Sequence, residues 1–407
     1  MKSAFQHPTS FLGDQLYFGM TPVHLSELTQ KHGTPFYLYD LDFFRARLSF
    51  FSQSVPPGSW VAFALKANTY PGFLNQVKEL GAGVDVVSGG ELAWALQHGV
   101  DAKKIVFSGV GKSEKEIHQA LDANIGLINV ESWGELKKIA RIAEEKKISA
   151  SIGLRLNPDL DVKTHPYIST GLKENKFGIP VEEFEMYVDF LKQHPRLHLK
   201  SLSHHLGSQM MDLSPIKESF DLFLRLFQEA KKHFIHLEYL DVGGGLGIEY
   251  ETQNLEREEK NFSQYLSYLQ TLHTAGAKLI FEPGRFLVGH AGVLIAQVMY
   301  IKKNKERNFL ILDTGSHHLV RPMLYGSYHH ILPLKWPKHS ETEIYDVVGP
   351  LCESSDFLAK QRSLPKLEEG DFVAILDVCA YGAVMASQYN LREKPAEFDL
   401  QSLVFHL

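Results

Sequence analysis

Cysteine is scarce in this chain, with Cys352 and Cys379 the two examples in 407 residues. That leaves no disulfide framework and no zinc-ligand spacing, and it fits a reducing, cytoplasmic setting. No apolar run approaches the roughly 20 residues that a membrane-spanning helix needs. Residues 1–15 mix Lys2, His7, Pro8 and Asp14, without the basic start and apolar stretch of a secretory leader. Charge of one sign is not in large excess. The net charge of −6 is too mild, and of the wrong sign, for a nucleic-acid binder. The twenty histidines form no HExxH or Cys/His pattern. The adjacent pairs His317-His318 and His329-His330 would point to opposite faces of a strand. No metal is expected.

What is present is an ordinary globular balance of 44% apolar and 22% charged residues, enough to fill a sizeable core. Eight short β-branched or apolar runs recur through the first two-thirds. They are Trp60–Leu65, Val84–Ser88, Lys104–Gly109, Gly126–Val130, Ser151–Asn157, Lys200–His205, Leu237–Gly243 and Lys278–Glu282. Helical periodicity fills the gaps, as in Gly90–His98, Glu114–Ala123, Ser132–Lys147, Val181–His194 and Pro215–His233. Strands alternating with helices predict βαβ units and a parallel sheet, and eight such units match a closed (β/α)8 barrel. An open doubly wound sheet is the competing architecture. After about Gly284 the strand-like runs Val293–Lys302, Phe309–Asp313, Tyr345–Val348 and Phe372–Val378 predict an all-β C-terminal domain. The expected division is an N-terminal segment over 1–35, with Gln15–Phe18 a strand joining the β domain, a barrel over 36–284 and a β domain over 285–407.

Barrel enzymes place catalytic groups at the C-terminal ends of strands. The first strand runs into Lys66, whose amine would be desolvated against apolar walls and act as a nucleophile toward an aldehyde. The sixth runs into His204-His205-Leu206-Gly207-Ser208, offering a stackable imidazole and a hydroxyl. The seventh runs into Gly243-Gly244-Gly245, whose amides could cradle a phosphate. The eighth runs into Glu282-Pro283-Gly284-Arg285, an acid for a ring nitrogen and a planar fork for an anion. Read singly, each has a bland explanation: a surface lysine, a core histidine, a tight turn, a structural ion pair. Together they are the four things pyridoxal phosphate requires. Further on come Arg321 with Tyr325, Cys352 with Glu353, and Tyr381 in a glycine-flanked turn.

These motifs resemble the fold-type III pyridoxal-phosphate decarboxylases, and most closely the branch that acts on diaminopimelate. The likeness runs from about Thr34 to Glu397. It is carried by Gly83-Val84-Asp85-Val86-Val87-Ser88-Gly89-Gly90-Glu91-Leu92, by Asn157-Pro158-Asp159 through Thr164–Gly171 to Lys176-Phe177-Gly178, by Cys352-Glu353-Ser354 and by Met385–Asn390. The resemblance implies a pyridoxal 5'-phosphate enzyme that decarboxylates meso-diaminopimelate to L-lysine. It also implies a homodimer whose active sites are shared between protomers. By resemblance, Lys66 carries the cofactor, His205 stacks on it, and Asp85, Ser208, Gly244, Gly245, Glu282, Arg285 and Tyr381 complete its site. Arg285, Arg321, Tyr325, Tyr381 and Glu353 would bind the substrate, and Cys352 would be the proton donor. A substrate with a second carboxylate explains two arginine forks better than ornithine or lysine would. Three departures from the family pattern bear on substrate preference: Ser316-His317-His318 in place of a Met-Asn-Asp-like triplet, Cys379 in place of Gly, and Ala383-Val384 in place of Phe-Ser.

Overall fold

The computed structural model describes residues 2–158, 176–337 and 341–404. It divides into two compact units, one of Leu48–Ile248 with Arg257–Phe286, the other of Met1–Arg47, Glu249–Glu256 and Leu287–Leu407.

The first unit is a closed parallel barrel. Its strands are β1 (Trp60–Ala64), β2 (Gly83–Val86), β3 (Ile105–Phe107), β4 (Leu127–Val130), β5 (Ala150–Asn157), β6 (Leu197–Ser203), β7 (Tyr239–Asp241) and β8 (Lys278–Phe281). Each pairs with the next, and β8 closes on β1 through Ile280↔Trp60 and Phe281↔Val61. The closure rules out the open sheet. Residues Ile179–Pro180 add a two-residue strand alongside β5. Parallel strands covered by helices are buried on both faces, so β2, β3 and β4 read as unbroken buried runs. Ala62, Val106, Leu127 and Ile280 form one interior cluster, with Trp60 and Tyr239 packed on it.

Three of the barrel helices start at a capping serine. Ser88 accepts from the Glu91 amide ahead of Gly89–Gln97, and Ser132 accepts from the Glu135 amide ahead of Trp133–Lys146. Ser113 and Glu116 form a reciprocal capping box at Glu114–Asp122, satisfying amides that a helix leaves orphaned.

In the second unit an eight-stranded sheet is built on the long strand Gly292–Lys303. That strand pairs with Asn308–Leu312, Phe372–Ile375 and Phe36–Tyr39. Three features depart from the sequence reading. Phe36–Tyr39, placed in the barrel segment by sequence, lies in this sheet and also pairs with Ala396–Asp399; its four residues are all buried, so no alternation betrays which core they serve. Gln15–Phe18 is a strand, but it pairs with Thr9–Leu12 and Val23–His24 in a small sheet of its own. It meets the rest of the unit through the Leu16 amide, which donates to the Leu334 carbonyl at 2.8 Å. Phe357–Pro365 is a strand that sequence missed, because the polar run Lys360-Gln361-Arg362 interrupts its apolar pattern. The unit's core joins Leu16, Phe18, Leu25 and Leu28 to Phe36, Leu38, Val293, Ile295 and Leu376.

A buried polar knot also lies in this unit. Asp377 Oδ1 receives His7 Nε2 at 3.0 Å and His290 Nδ1 at 2.7 Å, and its other oxygen receives the Gln253 amide at 3.4 Å. The imidazoles hold the Asp377 carboxyl well below the ordinary carboxylate range despite its burial. Sequence gave no sign of the cluster, because its members are far apart along the chain.

Candidate active site

A cavity of about 390 Å³ opens at the C-terminal ends of the barrel strands, a size suited to a small ligand. Lys66 follows β1, Arg155 lies in β5, His205 follows β6 and Glu282 follows β8, and all four line it. Lys66 Nζ donates to Asp85 Oδ2 at 3.0 Å. Asp85 sits in β2, where its side chain is wholly buried, and its Oδ1 has no hydrogen-bond partner among the described residues.

The floor is acidic. Asn129 Nδ2 donates to Asp241 Oδ2 at 3.0 Å, and the Gly243 amide donates to Asp241 Oδ1 at 3.0 Å. Burial pushes Asp241 up to about 6. Burial, with Asp241 and Asp85 beside it, holds Glu282 well above the ordinary carboxylate range. A buried acid kept neutral in this way ionises when a cation is placed against it.

His205 is held on its other edge. The Gly244 amide donates to His205 Nδ1 at 3.2 Å, which puts the proton of the neutral ring on Nε2. Burial, with the positive charges of Arg155 and Lys66 nearby, pushes its pKa well below 6.5. The preceding His204 points into a phenylalanine pocket, with its ring 4.3 Å from that of Phe223, and burial lowers it to about 3.

The glycine run is required by close approach. A Cβ on Gly244 would lie 2.2 Å from the Glu282 carbonyl oxygen, and one on Gly245 would lie 2.4 Å from that of Gly207. Gly245 also has φ +104°, a conformation that side chains disfavour. Arg285 Nη2 donates to Ser208 Oγ at 3.1 Å. The structure thus brings Lys66, Asp85, His205, Ser208, Gly244, Gly245, Glu282 and Arg285 into one connected region of the barrel unit.

These residues fit pyridoxal phosphate. The Asp85 Oδ1, unpartnered among the described residues, and the acid cluster of Asp85, Asp241 and Glu282 suit a positive group, which a protonated ring nitrogen would supply. The Lys66 amine, the His205 imidazole and the glycine-lined strand ends would supply the remaining contacts.

Arg321, Tyr325, Cys352, Glu353 and Tyr381 belong to the second unit. Arg321 opens the short helix Arg321–Tyr325 and is buried. Its guanidinium lies 4.9 Å from the centre of the Tyr250 ring, and its Nη1 is 3.1 Å from His329 Nε2. His329 Nδ1 lies 2.9 Å from the Leu376 carbonyl. The imidazole therefore donates to that carbonyl from Nδ1 and receives the arginine at Nε2. Sequence reasoning set His329 aside as a poor chelate and missed this supporting role. Tyr325 is half-buried at the end of the same helix, and Tyr381 takes a left-handed backbone, φ +61°. Cys352 is exposed and free. Glu353, also exposed, accepts from the Tyr389 hydroxyl at 2.6 Å.

The loop carrying Cys352 and Glu353 is folded around the buried Asp356. That carboxylate accepts the Ser316 amide at 2.6 Å and the Leu351 amide at 2.8 Å. At the divergent triplet, His317 and His318 are buried with ring centres 3.6 Å apart. Of the Asn157–Gly178 motif, residues 159–175 lie outside the described residues. The missed residues on the barrel side are Arg155, Glu131 and Lys112, charged positions that in sequence look like solvated strand and loop ends.

Comparison with known proteins agrees with the chemistry. A family model for the pyridoxal binding domain of pyridoxal-dependent decarboxylases matches residues 41–289. A diaminopimelate decarboxylase of Helicobacter pylori is 45% identical over 377 residues, 92% of this chain and 92% of the relative. One from Aquifex aeolicus is 40% identical over 375 residues, 92% of this chain and 88% of the relative. Among solved structures, Helicobacter pylori diaminopimelate decarboxylase complexed with L-lysine superposes with a TM-score of 0.84 at 44% identity, covering 93% of this chain and 94% of that one. The chain belongs to the pyridoxal-dependent decarboxylases and, within them, to the diaminopimelate decarboxylase family.

Proposed function

We propose that this protein removes CO2 from meso-diaminopimelate to give L-lysine, using pyridoxal phosphate held in the barrel cavity. The observation that carries the reading is the buried Glu282, its carboxyl held well above the ordinary range by burial and by Asp241 and Asp85, lining the same cavity as Lys66 and His205. When bound, the cofactor supplies a sink for the electron pair left as the carboxylate departs. Lys66 would bind its aldehyde covalently, with Asp85 orienting the amine. Glu282 would ionise and hold a proton on the ring nitrogen, and His205 would pack on the ring. Ser208, Gly244, Gly245 and Tyr381 would hold the phosphate, with Arg285 braced against Ser208.

Arg285, Arg321 and Tyr325 would grip the distal carboxylate, so that remote binding energy orients the bond to be broken. Glu353 would read the distal ammonium, and Cys352 would return a proton to the α-carbon. Both would come from the partner protomer of a homodimer, and the exposure of both side chains supports this. The identity of about 40–45% to diaminopimelate decarboxylases over most of the chain supports the substrate. The scarcity of cysteine, with Cys352 and Cys379 the two examples, supports a cytoplasmic setting.

The test is product analysis with purified protein, added cofactor and meso-diaminopimelate. Lysine and CO2 should appear in equal amounts. Lys66→Ala should abolish both products and the covalent retention of cofactor. Cys352→Ala should keep the cofactor but lose turnover by about 10²-fold or more, as expected for removal of a proton-transfer group. Turnover of ornithine, a D-amino acid or a carrier-tethered glutamyl group, with none of diaminopimelate, would overturn the substrate.

A further inference from the structure

Glu131, just beyond β4, has no part in the chemistry described above, yet its carboxylate accepts three hydrogen bonds beside the cavity. Oε1 accepts the Gly109 amide at 2.7 Å and Arg155 Nη1 at 2.8 Å. Oε2 accepts the Gly178 amide at 3.2 Å. Glu131 and Arg155 are 4% and 8% exposed, so solvent cannot replace these bonds cheaply. Both amide donors belong to glycines with left-handed backbones, φ +104° at Gly109 and +74° at Gly178. Two backbone turns that disfavour side chains therefore aim their N–H groups at one carboxylate.

The carboxylate is also fixed from behind. The Glu131 amide donates to Glu135 Oε2 at 3.1 Å, and Glu135 Oε1 receives the buried Lys112 at 2.8 Å. Lys112 Nζ spends its other bonds on the carbonyls of Gly109 and Asn129, both at 2.7 Å.

This frame serves Arg155. Its guanidinium lies 5.0 Å from the centre of the Phe177 ring, and the residue lines the cavity with Lys66, His205 and Glu282. The acids Asp85, Asp241 and Glu282 suit a cationic edge of a bound molecule; a guanidinium on the wall suits an anionic one. We propose that Arg155 contacts an anionic oxygen of the molecule bound in the cavity, and that Glu131 is its positioning residue. The inference rests on the cavity being the cofactor site. The oxygen belongs either to the cofactor ring or to a substrate carboxylate, and the experiment separates these.

The variants are Arg155→Lys, Arg155→Met, Glu131→Gln and the double variant Glu131→Gln/Arg155→Met, each checked for fold by circular dichroism and melting. Cofactor affinity and the pH titration of the bound cofactor's absorbance are measured without substrate. KM and kcat are measured with it. A cofactor oxygen predicts that the single variants move the titration midpoint in the same direction and weaken cofactor binding by about five-fold or more. A substrate oxygen predicts unchanged cofactor affinity and titration, with KM raised by about five-fold or more. In either case the double variant should be no worse than Arg155→Met alone, because Glu131 acts through the arginine.

The proposal is overturned if both Arg155 variants match wild type in all these readouts. It is equally overturned if Glu131→Gln adds its full effect on top of Arg155→Met. Should Glu131→Gln not fold, the two Arg155 variants decide alone. Wild-type protein that fails to bind the cofactor would sink the functional reading itself, a different result from variants that behave as wild type.

Discussion

Between β2 and β5, the loops at the C-terminal ends of the barrel strands are tied together by side-chain carboxylates; between β6 and β8 they are tied by main chain. In the first arc Glu91 accepts the Val87 amide, Glu116 accepts the Gly89 amide, and Glu131 accepts those of Gly109 and Gly178. In the second arc the Met210 amide donates to the Gly245 carbonyl, the Gly247 amide to that of Met210, and the Glu282 amide to that of Gly243. Carboxylates act as spacers several ångströms long, and they leave room between loops. Glycines remove the spacer and let backbones touch. The roomy arc carries the charged groups Arg155 and Lys176 on the cavity wall, whereas the tight arc sets His205 and Glu282 against glycine backbone.

The largest test of this contrast is Lys112→Met. The lysine is almost wholly buried, and its loss strands the buried Glu135, whose carboxyl burial already pushes upward. Breaking such a pair costs about 3–5 kcal/mol, so the melting temperature should fall by on the order of 10 °C. A drop of only a degree or two would mean that the carboxylate arc is not one electrostatic unit.

Gly244→Ala probes the other arc. With backbone 2.2 Å from the new methyl, overpacking should cost about 1–3 kcal/mol and visibly reduce cofactor retention. Unchanged absorbance and stability would show that the tight arc has slack.

A smaller effect concerns pH in the cofactor-free protein. Burial pushes Asp241 up to about 6 and raises Glu282 well above its ordinary value, so the folded state keeps protons that the unfolded chain releases from about pH 4 upward. Stability contributed by these groups must therefore fall as pH rises through that window. The neutral His205 acts oppositely, losing stability as pH drops below 6.5. Melting wild type and Asp241→Asn side by side from pH 5 to 8 cancels the shared histidine. The difference between them should move in favour of the variant by a few degrees as pH rises, and parallel curves would refute the assignment.

Smallest is Ser113→Ala, which removes one half of a capping box at the solvent edge of the carboxylate arc. It should cost about 1 kcal/mol and leave cofactor absorbance untouched.

The tight arc was largely legible in sequence. Gly243-Gly244-Gly245, His205 and Glu282 sit where apolar strand patterns end, and the eight strands observed overlap the eight runs expected. Such patterns are local, because a strand's apolar run and the turn residue after it are neighbours in sequence. The carboxylate arc was not legible. Glu131, Glu135, Lys112 and Arg155 are charged residues that mimic a solvated surface until the fold buries them against one another. The same holds for the Arg321–His329–Leu376 chain and the His7–Asp377–His290 knot, whose partners meet only after long stretches of chain have folded. Phe36–Tyr39 failed for another reason: a fully buried strand carries no mark of which sheet it joins.

The contact of Gly244 with both His205 and Glu282 has a consequence for how such an enzyme can change over generations. One small residue sets two of the groups that the proposed chemistry would use, so drift at that point would be punished twice. Novelty in what is accepted must come from other stretches of chain. The divergent Ser316-His317-His318 triplet, Cys379 and Ala383-Val384 all fall in the second unit, which makes that unit the place where a new appetite can be tried while the reaction itself is inherited whole.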